Sequence, residues 1–264
     1  MFIGHTLPSE EKIKLLNSGK LLFDELERLI DEATEEIHFQ IYIFENDETG
    51  LRIGNALLRA ATRGVKIYLF IDAFGSNISP ELLEKIKLKG GNIRYFGPIF
   101  YGGHFHIGRR LHRKLIIFDR KIAVTGGFNI SNNYNDIKGS RAWLDFAIIS
   151  EGVVVTRLYS ICLRRWIKKS LRKRFIQRLR YRMSKAQKKI GAHIHVREND
   201  WLKGINEANA SYRREIKNAK ESLFRIYASF PPTVRVAIIG NIWDVMPGIS
   251  INYISFNVAH EGQI

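Results

Sequence analysis

The sequence of 264 residues lacks the features typical of secreted, metal-stabilised or membrane-spanning proteins. It contains one cysteine, Cys162, so we expect neither a disulfide framework nor a structural zinc site made of cysteines. No apolar run reaches the length of about eighteen residues that a transmembrane helix needs. The first residues show no basic region followed by an apolar stretch, as a secretory signal would. We therefore expect a cytoplasmic protein.

Acidic residues are also few, at 26 against 42 lysines and arginines, which gives a formal net charge of +16. Such a charge attracts phosphate groups, either of nucleic acid or of an anionic membrane. From Arg164 to Lys189 there is no acidic residue, and an apolar residue recurs every fourth position from Leu163 to Leu179. This pattern predicts a basic amphipathic helix suited to an anionic membrane surface. A linker helix packed on the sheet is the other interpretation, and we expect both: Cys162–Trp166 packs, and the basic end meets phosphates.

Apolar periodicity predicts alternating strands and helices over the first part of the chain. The resulting order predicts an α/β domain in which helices flank a mixed β-sheet, and we place it at residues 1–185 with the basic helix at its end. The predicted helices are 20–33, 50–63, 80–88 and 152–166, and the predicted strands are 36–44, 65–71, 92–96, 114–118, 121–125 and 143–149.

A weak internal repeat predicts a partial, degenerate second copy of this domain at residues 186–264. The segment AKESLFRIYASF at 219–230 resembles ATEEIHFQIYIF at 33–44, and VRVAIIG at 234–240 resembles VKIYLFI at 65–71. Only three residues separate the two strands in the second copy, whereas adjacent parallel strands need a crossover of a dozen or more. The second copy therefore either pairs differently or has lost its helix.

The segment LHRKLIIFDRKIAVTGGFNIS carries the chemistry that the sequence predicts. His112 and Lys114 are two positions apart, so on a strand they share one face. Lys114 can neutralise the oxygens of a phosphodiester while His112 attacks phosphorus. An isolated His-x-Lys pair is more typical of a solvated strand edge. The full spacing through Asp119, Gly126, Gly127 and Asn129 is far more restrictive and favours a catalytic site.

The other residues of the motif have interpretable roles. A carboxylate at Asp119 can orient the imidazole or balance charge, and Gly126 and Gly127 allow close approach of the backbone. The amide of Asn129 can donate to phosphate.

The preceding loop holds four basic or imidazole side chains, His104, His106, Arg109 and Arg110. We assign His106 and Arg110 to substrate binding, although a solvated loop is an equal alternative. No Asp or Glu nearby supports a metal at His104 and His106, so no metal site is predicted. Asp145 lies within the strand predicted at 143–149 and could contact the active site, although its default interpretation is a strand-end carboxylate.

The motif resembles the HxKxxxxD motif of the phospholipase D superfamily. From His38 to Trp166 the chain is similar to the first half of bacterial cardiolipin synthases, through FQIYIF, ALLRAATRGVKIYLFID, GGNIRYF and WLDFAI. The resemblance implies a phospholipase D-like fold that needs no metal or other cofactor. It also implies two such motifs facing each other, with His112 forming a phosphohistidine. Lys114 and Asn129 would then hold phosphate, and Asp119 would support the site.

The resemblance further implies a phosphatidyltransferase that joins two phosphatidylglycerol molecules at the cytoplasmic face of the membrane, as a peripheral protein. These 264 residues hold no second motif, because His193, His195 and His260 lack the downstream spacing. Either a homodimer completes the site or the chain is truncated. The alternatives are a phospholipase D-type phosphodiesterase or nuclease, with nucleic acid the less favoured partner, and an inactive remnant.

Overall fold

A computed structural model of the protein consists of two compact units, Met1–Ile194 and His195–Ile264, which we describe separately. The structure describes residues 11–97, 100–101, 104–105, 110–137, 139, 141–167, 196, 199–200, 205–218, 222–227 and 250–255.

The first unit is built on a seven-stranded mixed sheet with strand order β1-β9-β8-β7-β2-β3-β4. Strands β2, β3 and β4 are parallel, and the other pairs in the sheet are antiparallel. The predicted α/β architecture, a mixed sheet flanked by helices, is confirmed. The elements are β1 (Lys12–Asn17), α1 (Lys20–Glu32), β2 (Glu36–Ile41), α2 (Glu48–Thr62), β3 (Lys66–Asp72), α3 (Pro80–Leu88), β4 (Asn92–Phe96), β5 (Phe100–Tyr101), β6 (His104–Phe105), β7 (Leu115–Phe118), β8 (Ile122–Gly126), β9 (Phe146–Glu151) and α4 (Val153–Leu163).

Alternate residues of the central strand β2 pack into the main core. Ile37, Phe39 and Ile41 are fully buried in the same cluster as the apolar stripes of α1 and α2. Local signals set where the helices begin, since Asp47 accepts a hydrogen bond from the Gly50 amide at the start of α2. The face of the sheet that packs against α1 and α2 is therefore the core face. This packing also holds in place the strand ends that form the site.

The opposite face of β2 is polar and lies under α4. The Gln40 side-chain amide donates to the carbonyl of Cys162 at 3.4 Å, and the Tyr159 hydroxyl donates to Glu36 at 2.7 Å. Burial raises the pKa of Cys162 to about 12, so its thiol stays protonated at neutral pH. Cys162 is fully buried and is therefore a packing residue rather than a nucleophile.

Several predicted bounds differ from the structure. Strand β1 was not predicted, because its residues are mostly exposed at the sheet edge, where it pairs with β9. The strand predicted at 143–149 begins only at Phe146, and the loop at 100–110 contains the two-residue hairpin strands β5 and β6. Helix α4 ends at Leu163, and the basic run predicted to continue it lies outside the described residues from 168 onward.

The second unit contains β10 (Asn199–Asp200), β11 (Ile205–Asn206), α5 (Glu207–Asn218), β12 (Ser222–Tyr227) and β13 (Ser250–Ser255). β12 pairs in parallel with β13, and residues 228–249 supply a connection of sufficient length. The strand predicted at 234–240 lies outside the described residues, so the partial second copy stays a prediction. In the described part of the chain, no helix has both the length and the apolar character needed to cross a bilayer.

Candidate active site

The two basic residues of the motif lie together at one edge of the sheet. His112 and Lys114 come just before β7, which runs antiparallel to β2, so they lie beside the carboxyl ends of β2 and β3. This is the edge where open α/β sheets bind their ligands. The Lys114 Nζ atom is 3.5 Å from the His112 Nε2 atom. The structure therefore brings the predicted pair together.

The electrostatics of the pair suit attack on a phosphodiester. Lys114 is 4% exposed, and burial lowers its pKa to about 8, although the charge of Asp145 opposes this. The His112 side chain reaches solvent, yet partial removal from water and the charge of Lys114 lower its pKa. At neutral pH the site thus offers a neutral imidazole beside an ammonium group.

A buried aspartate that the sequence analysis did not single out fixes the approach to His112. Asp72, at the end of β3, is fully buried and accepts hydrogen bonds from the amides of Leu111 (2.6 Å), Phe74 (3.0 Å) and Gly75 (3.0 Å). The backbone just before His112 is thus tied to the end of β3. The only sequence signal was an aspartate at the end of a predicted buried strand.

Asp145 is the carboxylate that acts on the Lys114 charge. Burial raises its pKa, while the Phe146 amide, which donates to it at 2.7 Å, and the charge of Lys114 lower it. A Cβ atom at Gly127 would lie 2.2 Å from Asp145 Oδ1, and one at Gly126 would lie 2.2 Å from the Phe146 carbonyl oxygen. Both positions require glycine because the chain at the start of β9, around Asp145 and Phe146, lies too close to leave room for a side chain.

Asn129 is 3% exposed and links the motif to the end of β2. Its Oδ1 accepts from the Ile43 amide at 3.2 Å, and its Nδ2 donates to the Tyr134 hydroxyl at 3.0 Å. These bonds fix the orientation of the amide group. Among the described residues, the second N–H of Nδ2 has no hydrogen-bond partner, and we expect this hydrogen to make the predicted donation to phosphate.

Asp119 lies at the opposite end of β7 from the pair, which corrects the interpretation that it orients the imidazole. Five strand steps separate it from Lys114, roughly 16 Å. Its carboxylate accepts from the amides of Thr34, Glu35 and Glu36 and from the Thr34 hydroxyl, at 2.8–3.1 Å. Burial raises its pKa, but these bonds outweigh burial, so the net pKa is lowered. Asp119 therefore holds the start of β2.

Arg110 lies two residues before His112, with its guanidinium 4.2 Å from the centre of the exposed Phe74 ring. Its Nη1 atom is buried and has no hydrogen-bond partner among the described residues. The predicted role of Arg110 in substrate binding stays a prediction. His106 lies outside the described residues. No group of three His, Cys, Asp or Glu side chains suited to a metal occurs in the described part of the chain.

The lowered pKa values predict a bell-shaped pH dependence of turnover. Activity rises as His112 loses its proton, below the ordinary histidine pKa of about 6.5, and falls as Lys114 loses its proton near pH 8. Binding of dimethyl phosphate, whose charge is constant over this range, should weaken above pH 8 for the same reason. Calorimetric titration from pH 6 to 10 measures this affinity for dimethyl phosphate.

Lys114→Arg is the matched variant, because arginine keeps its charge throughout this range. We expect its affinity for dimethyl phosphate to stay constant above pH 8. If the affinity of Lys114→Arg for dimethyl phosphate fell above pH 8 as steeply as that of the unchanged protein, the group that titrates there would not be Lys114.

Comparisons with known proteins agree with the motif and the fold. A family model described as "Cardiolipin synthase, PLD-like domain" matches residues 26–143. A cardiolipin synthase of Clostridium perfringens (strain 13) is 32% identical over 228 residues, which are 83% of this chain and 47% of that protein. Cardiolipin synthase B of Escherichia coli K12 is 35% identical over 147 residues, which are 54% of this chain and 36% of that protein. The aligned region thus covers less than half of either relative.

Among solved structures, the phosphatidylserine synthase of Haemophilus influenzae superposes with a TM-score of 0.59 at 16% identity. The superposition covers 90% of this chain and 60% of that one. At this identity the likeness concerns the fold alone.

Proposed function

We propose that this chain provides a catalytic half-site of a phosphatidyltransferase, because residues 26–143 match the family model described as "Cardiolipin synthase, PLD-like domain". The observation that carries the proposal is the Lys114 ammonium 3.5 Å from the His112 imidazole, at the ligand-binding edge of the sheet. The substrate that fits the relatives named above is an anionic phospholipid, and we propose phosphatidylglycerol.

The proposed reaction has two displacements at phosphorus. The His112 imidazole forms a bond to the phosphorus of one phosphatidylglycerol, and the bond to the terminal glycerol oxygen breaks. Lys114 neutralises the phosphate oxygens, and the leaving glycerol takes a proton from a second histidine. The headgroup hydroxyl of another phosphatidylglycerol then gives its proton to that second histidine, and its oxygen displaces the imidazole from phosphorus, giving cardiolipin. Arg110 and the free N–H of Asn129 are proposed to contact phosphate oxygens.

The second histidine is proposed to come from a second copy of this chain, because the 264 residues contain one HxKxxxxD motif. Sedimentation velocity of the full chain tests the pairing. A strict monomer that turns over no phosphodiester would favour the inactive half-domain among the alternatives.

The experiment that tests the function is incubation of the pure protein with phosphatidylglycerol vesicles, followed by thin-layer chromatography of the lipids. Cardiolipin and free glycerol are expected in equal amounts. Folded dimer that makes neither product would overturn the proposed activity. A nuclease is the second candidate, favoured by the pI of about 10, and metal-free cleavage of plasmid DNA would support it.

We also propose peripheral binding to the cytoplasmic face of the membrane through the basic run at 164–189, most of which lies outside the described residues. Changing Arg172, Lys173 and Arg174 to glutamine should weaken binding to phosphatidylglycerol vesicles about a hundredfold, because each charge contributes about 1 kcal/mol. Vesicle co-sedimentation at fixed ionic strength measures the loss.

Vesicles of zwitterionic phosphatidylcholine, which carry no net charge, are the control for this variant. Equal binding of the variant and the unchanged protein to anionic vesicles would remove the basic run from the membrane contact.

A further inference from the structure

The ring of Tyr42 touches both basic residues of the motif. Its centre lies 5.4 Å from the centre of the His112 ring, with the planes tilted by 47°. The Lys114 Nζ atom lies 5.4 Å from the same ring centre, within the reach of a cation–π contact, about 6 Å. One side chain at the end of β2 therefore contacts the nucleophile and the phosphate-binding ammonium together.

The loop after β3 also packs closely against Tyr42. A Cβ atom at Gly75 would lie 2.7 Å from Tyr42 Cε2 and 2.7 Å from the Tyr42 carbonyl oxygen, so only glycine fits there without a shift of the backbone. The Ser76 hydroxyl donates to the same carbonyl at 3.0 Å. The Gly75 amide is bound to the buried Asp72 carboxylate at 3.0 Å. The contacts with Gly75 and Ser76 therefore restrict the movement of Tyr42.

We propose that Tyr42 is a positioning residue, whose ring holds His112 and Lys114 in the mutual arrangement that phosphodiester attack requires. The proposal rests on the function proposed above for this site, and it concerns the ring rather than the hydroxyl. The ring covers one side of the imidazole against water. It also presents its electron-rich face to Lys114, which keeps the ammonium beside the nucleophile.

Two variants separate the ring from the hydroxyl. Tyr42→Phe keeps the ring contacts, whereas Tyr42→Leu removes them at similar apolar character. In Tyr42→Leu, we expect the affinity for dimethyl phosphate to fall about fivefold, which corresponds to a cation–π contact of about 1 kcal/mol. We also expect the pKa of His112 to rise toward its ordinary value, because the imidazole gains water. Tyr42→Phe should match the unchanged protein in both measurements.

The measurements are an NMR pH titration of the His112 ring signal, assigned with His112→Gln, and a dimethyl phosphate titration of the same samples. Asp145, whose charge acts on Lys114, and Arg110, two residues before His112, are retained in every variant. Neither readout needs turnover, so a failure of the transferase assay in the unchanged protein would count against the proposed function and not against this inference.

Gly75→Ala perturbs the same ring without changing Tyr42, and it should shift both readouts in the direction of Tyr42→Leu. It also serves if Tyr42→Leu does not fold. A folded Tyr42→Leu or Gly75→Ala protein with unchanged His112 titration and unchanged phosphate affinity would overturn the proposal. Equal loss in Tyr42→Phe and Tyr42→Leu would do so too, because it would transfer the role to the hydroxyl.

Discussion

Replacing His112 with alanine is expected to lower phosphodiester turnover by at least about a thousandfold, because it removes the imidazole that is proposed to form the covalent intermediate. The side chain is exposed, so the variant should fold with nearly unchanged stability. Cardiolipin formation from phosphatidylglycerol vesicles and cleavage of plasmid DNA both measure the loss. Whichever activity the protein has should disappear.

His112→Gln is the matched control, since glutamine keeps a polar side chain that can hydrogen-bond phosphate but cannot be phosphorylated at nitrogen. It should retain dimethyl phosphate binding through Lys114 while losing turnover. This separation distinguishes a nucleophile from a binding residue. Turnover of either His112 variant at the rate of the unchanged protein would refute the catalytic assignment.

The elements with strong local signals could be predicted from the sequence. Helix α3 and strand β4 have the predicted bounds, because Ser79 caps the helix, Pro80 opens it, and two glycines separate it from the strand. The His112–Lys114 pair could be predicted in the same way, since a two-residue spacing determines which face of a strand the side chains share. These features depend on neighbours in the chain.

The carboxylates of the site could not be assigned in this way. Asp119 belongs to the motif, but its partners Thr34 to Glu36 lie more than eighty positions earlier in the chain. Asp145 approaches Lys114 only because β8 pairs with both β7 and β9. Asp72 reaches Leu111 across the ends of the sheet. Contacts between residues so distant in the chain depend on the order of the strands in the sheet, and the spacing of a motif does not determine that order.

Substitution of Asp119 should lower the stability of the fold and leave the chemistry intact. Asp119 and Arg120 form the β7–β8 turn with φ angles of 49° and 61°, a left-handed conformation that aspartate and asparagine tolerate better than most residues. Asp119→Ala removes four hydrogen bonds and this tolerance, so the free energy of unfolding should fall by about 3 kcal/mol. Asp119→Asn keeps the turn and one acceptor oxygen, and it should lose about half as much.

The pH dependence of this loss identifies its origin. Because the pKa of Asp119 is lowered in the folded protein, its carboxylate stabilises the fold above about pH 4, and this contribution is lost as the pH falls through the folded pKa. Urea unfolding should therefore separate Asp119→Asn from the unchanged protein at pH 7 and bring the two closer at pH 3. Folded Asp119→Asn should keep the His112 titration of the unchanged protein. A shifted His112 titration at full stability would instead return Asp119 to the role of orienting the imidazole.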